Sequence, residues 1–169
     1  LSWDGTAVMG SGAAPDGTYA LVLSGEDRAG NRTTTNALRV IKDGRTPSVA
    51  LTVDGEYLSP LSSGAYQSVR FRTDFGAPDL IEQFLFEIRN ADGRMVRSSY
   101  QRRAFDSFEW NGLSNGGTVV PDGTYTGYLR VVYLNGHVAE VTDAGPVIVD
   151  RTRPQIRRLS AEPRRFSPD

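Results

Sequence analysis

Apolar and polar residues alternate with a period of two along most of this chain. In the run 125–133, Tyr125, Leu129, Val131 and Tyr133 share one parity. Val49, Leu51 and Val53 alternate, as do Val69, Phe71 and Thr73, and the run 81–89 puts Phe84, Phe86 and Ile88 on one side. Such a period belongs to strands with one face in a core. Shorter segments at 108–110, 137–142 and 146–149 extend the series. Turn signals separate them. Asn90-Ala91-Asp92-Gly93 leads into Met95-Val96, and Asn135-Gly136 is the preferred sequence for a type I′ hairpin turn. Gly76-Ala77-Pro78-Asp79 interrupts any helical reading of 74–89. About seven or eight short strands and no amphipathic helix predict an all-β sandwich.

The pattern is also used twice. Pro121-Asp122-Gly123-Thr124-Tyr125 occurs earlier as Pro15-Asp16-Gly17-Thr18-Tyr19. Proline presets φ, Asp bonds nearby backbone, and Gly takes a positive φ, so the run makes a tight turn before a strand. Trp3-Asp4-Gly5 matches Trp110-Asn111-Gly112 upstream of the two runs, across glycine-rich loops of nearly equal length. Downstream, Asp27-Arg28-Ala29-Gly30-Asn31 and Leu134-Asn135-Gly136-His137 mark turns. The copies close at Val40-Ile41-Lys42-Asp43 with Thr46-Pro47, and at Val147-Ile148-Val149-Asp150 with Thr152-Arg153-Pro154. The period is about 107 residues with a one-residue indel, too long for a solenoid unit and right for a string of sandwich domains.

Residues 1–45 therefore read as the C-terminal half of a first domain, 46–153 as a complete one, and 154–169 as the start of a third. Leu1-Ser2-Trp3 and Ser167-Pro168-Asp169 read as ends cut within repeats of a longer protein. The series Trp-Asp/Asn-Gly, Pro-Asp-Gly-Thr-Tyr, Asp-x-x-Gly-Asn and Val-x-Asp-x-Thr-x-Pro resembles the immunoglobulin-like repeat of the flagellar hook-capping family. That resemblance implies tandem immunoglobulin-like β-sandwiches of the kind found in hook caps and in large bacterial surface or secreted proteins. Such repeats carry a Ser-Pro-Asx-Gly-Asp-Gly segment near their start. Leu58-Ser59-Pro60-Leu61-Ser62-Ser63-Gly64 stands there without the acids, and Phe166-Ser167-Pro168-Asp169 resembles the opening of a fuller copy.

Composition narrows the function. A hydrophobic content of 38% is enough for a modest core. No apolar run approaches the ~20 residues that cross a bilayer as a helix. A net charge of −1 gives no electrostatic reason to expect nucleic acid or a membrane surface. There is no cysteine, hence no disulfide, thiolate metal site or Cys nucleophile. Lys42 is the only lysine; the other basic residues are arginines.

Few residues invite chemistry. His137, the only histidine, follows Asn135-Gly136 and reads as an exposed turn residue, with no Ser or carboxylate marked to pair with it. Asp43 and Asp150 precede the two Thr-Pro junctions, where tandem domains of cadherin type bind Ca²⁺. One acid per junction is too few unless the fold gathers Asp27, Asp54, Glu56, Asp143 or Glu162, and the competing reading has each Asp bonding backbone amides to order the linker. Asp4, Asp16 and Asp122 read as turn formers. Trp3 and Trp110 read as inter-sheet core, with stacking on a sugar as the alternative. Tyr19 and Tyr125, opening equivalent strands, read as packed phenols bonded to backbone. The pairs Arg102-Arg103, Arg157-Arg158 and Arg164-Arg165 read as solvated surface, and the polar loop 98–105 as the first place to seek a contact surface.

The sequence thus predicts a non-catalytic spacer or protein-interaction module of a larger bacterial surface, secreted or periplasmic protein. No cofactor is expected, calcium being the one candidate. The expected partners are proteins or neighbouring repeats, with strand pairing between chains through the incomplete terminal domains. Carbohydrate or cell-wall binding, an accessory role in a secreted hydrolase, and hook assembly are the alternatives.

Overall fold

The computed structural model describes residues 3, 5, 6, 12–60, 66–153, 155 and 157–160. Their strands are β1 (Gly17–Leu21), β2 (Ser24–Glu26), β3 (Arg32–Thr34), β4 (Leu38–Lys42), β5 (Val49–Asp54), β6 (Tyr57–Leu58), β7 (Val69–Phe75), β8 (Ile81–Asn90), β9 (Met95–Gln101), β10 (Ser107–Trp110), β11 (Gly123–Tyr133) and β12 (Val138–Val149). A single 3-10 turn, Pro78–Leu80, replaces any helix where Pro78 forbids one.

β5 to β12 form two facing sheets, ordered β10-β7-β5 and β6-β12-β11-β8-β9. All pairings are antiparallel except β6, which runs parallel to β12. The chain leaves the first sheet after Asp54 and joins the edge of the second at Tyr57. This is an immunoglobulin-like sandwich, with its opening strand shared between the sheets. Alternation supplies the core. Leu51, Val69, Phe71 and Trp110 face Phe84, Phe86, Ile88, Tyr125, Leu129, Val131, Val147 and Val149, all buried. Phe86 lies at the centre, its ring centroid 5.3 Å from Phe71 and 4.8 Å from Phe108. Burying a ring of this kind stabilises by about 1.5–3 kcal/mol.

At Gly127 the packing between the sheets leaves no room for a side chain. A Cβ built there would stand 2.7 Å from Phe71 Cε1 and 3.0 Å from Leu51 Cδ2. The glycine lets the Phe71 ring lie on the backbone of β11.

Three local expectations are corrected. The Asn135-Gly136 turn is not type I′, because that turn needs positive φ at both residues and, among the described residues, only glycines have it. Gly136 donates to the Tyr133 carbonyl and Tyr133 to that of His137, which makes a type I turn closed by a glycine bulge. Residues 137–142 and 146–149 are not separate strands; β12 runs unbroken from 138 to 149, with bulges absorbing the irregularity. The stretch 98–105 is not one loop. Its first residues extend β9 to Gln101, and Phe105 packs on Phe84 at a centroid distance of 5.1 Å.

The earlier residues form a hairpin. β1 pairs with β4 and β2 with β3, both antiparallel. Ser24↔Thr34, Gly25↔Thr33 and Glu26↔Arg32 repeat Arg130↔Glu140, Val131↔Ala139 and Val132↔Val138. Tyr19↔Val40 repeats Tyr125↔Val147. Between these pairs β12 carries one residue more than its counterpart, at the bulge by Gly145, which offsets the one residue fewer between Trp110 and Pro121 than between Trp3 and Pro15.

Candidate functional site

The repeated residues form a repeated corner. The Trp110 indole Nε1 donates to the Leu113 carbonyl at 3.0 Å, and Trp3 Nε1 to that of Thr6 at 2.7 Å. The Tyr125 hydroxyl donates to the Pro121 carbonyl at 2.8 Å, and the Tyr19 hydroxyl to that of Pro15 at 2.6 Å. The rings meet at 5.2 Å for Trp110–Tyr125 and at 4.8 Å for Trp3–Tyr19. Val120 N donates to Gly112 O, and Ala14 N to Gly5 O. Each Pro-Asp-Gly-Thr-Tyr run bends the chain at its aspartate, with Gly17 already in β1 and without the positive φ expected of it, and its tyrosine locks the bend to the strand it opens, as a tyrosine corner does. The copies differ in cover. Trp110 and Tyr125 are buried; Trp3 and Tyr19 are half-buried. Burial raises the Tyr125 phenol above its ordinary range.

The acids of the corner hold the linkers. Asp122 Oδ1 accepts from Arg151 Nε at 2.7 Å and from Arg151 N at 3.2 Å, and Thr152 donates its hydroxyl to Oδ2 at 3.3 Å. The Arg151 guanidinium, foremost, holds the Asp122 carboxyl below the usual carboxylate range. Asp16 is lowered by the Gly44 amide first and by Lys42 second, whose Nζ stands 3.0 Å away. Asp43 Oδ1 accepts Arg45 N at 3.0 Å; Asp150 Oδ1 accepts Thr152 N at 2.8 Å. These are matching turns at the two junctions.

The first junction is bound further. The Arg45 guanidinium bridges Asp43 at 2.8 Å and Asp79 at 3.1 Å, and both carboxylates hold it charged. The Arg45 side chain, in turn, lowers the Asp43 carboxyl. Asn135 Nδ2 donates to Arg45 O at 2.7 Å. The β11–β12 loop is tied to the 3-10 turn, with Leu134 N donating to Leu80 O. The linker thus lies across the end of the sandwich, gripped by a loop and a turn that are distant in sequence.

Other candidates sit apart. His137 is half-buried, not exposed, and closes its loop with its ring 6.0 Å from Tyr133. Asp27 accepts from Ala29, Asn31 and the Asn31 amide side chain within its own loop, and Asp54 pairs with Arg72. Among the described residues, no group of three or more His, Asp and Glu side chains gathers where a metal could sit. Arg102, Arg103, Arg157 and Arg158 are exposed. Asp4, Glu162, Arg164-Arg165 and the segments 61–64 and 166–169 lie outside the described residues. Sequence reasoning passed over Tyr57 and Tyr66. Both are more than half exposed and, with Leu58, Ser59, Asp150 and Thr152, line a 360 Å³ cleft beside the second junction. Neither carries a repeat signature, so nothing in the sequence marked them.

No helix among the described residues is long and apolar enough to cross a membrane. No protein-family model matches the chain, and no curated protein matches it. Solved structures that resemble it in shape include two bacterial ones. One is dimeric latent PorU from Porphyromonas gingivalis, with 18% identity and a TM-score of 0.47 over 81% of this chain and 12% of that one. The other is the fibronectin(III)-like modules of CbhA from Clostridium thermocellum, with 16% identity and a TM-score of 0.48 over 87% of this chain and 70% of that one.

Proposed function

We propose that this chain is a non-catalytic spacer of a larger bacterial surface or secreted protein, built from immunoglobulin-like repeats of the hook-capping kind. The observation that carries the reading is the gripped linker. Arg45 is held by Asp43, Asp79 and, through its carbonyl, Asn135, so successive units keep one angle. The polar residues that repeat between copies serve turns and linkers, which is what a module selected to hold shape requires. A cysteine-free chain suits a direct test. Spin labels at Arg39→Cys and Glu82→Cys, both exposed positions, give a single narrow distance distribution by double electron–electron resonance. Arg45→Ala with Asn135→Ala broadens it. A broad distribution in the unmodified linker would sink the reading.

A second reading rests on Tyr57 and Tyr66. Two exposed phenols flanking a cleft that also holds Ser59, Asp150 and Thr152 offer a sugar ring both stacking and hydrogen bonds. Titration with cell-wall oligosaccharides, followed by tyrosine fluorescence, separates the two, since a spacer gives no saturable change.

A further inference from the structure

We propose that the apolar face of the β1–β4 hairpin is the docking surface for a three-stranded half-sandwich of the β5-β7-β10 kind. Its source is a segment that precedes Leu1 on the same polypeptide, and it is not the β5-β7-β10 half of this chain. Three observations lead there. First, the pairs of β1 to β4 repeat those of β11 and β12 on either side of the bulge by Gly145, and the equivalent face of β11 and β12 is buried under β5, β7 and β10. Secondly, the face in the first copy is open. Leu21, Leu23 and Leu38 are 38%, 54% and 64% exposed, and with Trp3 they line a 230 Å³ cleft. Among the described residues β1 and β4 pair only with each other, whereas β11 also pairs with β8, and β12 with β6. An apolar face bounded by two free strand edges is half of a sandwich.

Thirdly, the face is shaped for a different partner from the one in the second copy. Leu21 stands where Gly127 stands, and Leu38 where Ala144 stands. A mere Cβ at Gly127 would press on Phe71 at 2.7 Å. Leu21 extends three carbons past Cβ. The β5-β7-β10 half of another copy of this chain therefore cannot close on β1–β4 without moving Phe71, and cores resist such overpacking. The occupant carries a smaller side chain at the place of Phe71. In the complete sandwich the covering strands precede the hairpin, which puts the occupant ahead of Leu1.

The test compares hydrogen exchange in this chain and in the same chain extended upstream by its native sequence, about 60 residues for one half-sandwich. Amides of 17–42 slow at least about a hundredfold in the extended chain. Leu38→Asp in the extended chain restores fast exchange there and leaves 69–149 protected. The same substitution in the unextended chain changes neither region, which controls for misfolding. Equal exchange in both chains overturns the proposal. So does protection of 17–42 in the unextended chain together with a dimer mass by light scattering, which would make a second copy the occupant.

Discussion

Gly127 shows how much one missing side chain decides. Its place in β11 has the parity of Tyr125 and Leu129, where a large apolar residue is the rule, and the glycine makes room for Phe71. Gly127→Ala keeps an allowed backbone yet drives a methyl into that ring. Urea unfolding is expected to show a loss of about 1–3 kcal/mol, the usual cost of overpacking. A change below about 0.5 kcal/mol would mean that the sheets part freely at this point. Asp122 acts through charge. Its folded carboxyl titrates below the unfolded one, so its contribution is fully present above the unfolded value and is lost as pH falls through the lower folded value. The thermal midpoint therefore falls on acidification below about pH 4, and Asp122→Asn flattens that fall. An identical acid profile in the variant would contradict the bond to Arg151. The repeated Trp and Tyr stood out in the sequence because they recur. Their difference in cover did not, since burial depends on what packs above them.

At the scale of elements, one loop type recurs. In 27–31, 90–94, 114–118 and 133–137 the fourth residue is a glycine that donates to the first carbonyl, and the first amide donates to the fifth carbonyl. All four glycines have φ between 75° and 86°. The strands were legible because alternation survives wherever one face is buried. The turn chemistry was less so. Asn135-Gly136 suits a two-residue type I′ turn, but pairing of Tyr133 with His137 adds a residue to the loop and leaves Asn135 at negative φ. The reading of 98–105 as a loop failed for a related reason: Ser98, Ser99 and Gln101 are polar because β9 is an edge strand, and edges tolerate polar residues on both faces. Gly93 and Gly136 have open space around the position of a Cβ. Gly93→Ala and Gly136→Ala therefore carry backbone strain alone and each cost about 1–2 kcal/mol by urea unfolding. A neutral Gly93→Ala would show that the loop has other conformations at hand.

For the whole molecule, periodicity carried the all-β class, and repetition marked the β1–β4 hairpin as a counterpart of β11 and β12. What they could not convey is how the parts meet. The grip on Arg45 joins Asp43 to Asp79 and Asn135, residues far apart in the chain that only the folded sandwich gathers at one end. Leu21 in place of Gly127 carries a meaning that appears only once Phe71 is seen above its counterpart. The central claim is that β5 to β12 make a self-sufficient sandwich, while β1 to β4 are a hairpin held at its end. Urea unfolding of residues 46–153 alone, set beside the whole chain, tests it most directly. The account predicts one cooperative transition with the same midpoint in both. Loss of cooperative unfolding in 46–153, or a marked fall in its midpoint, would contradict it.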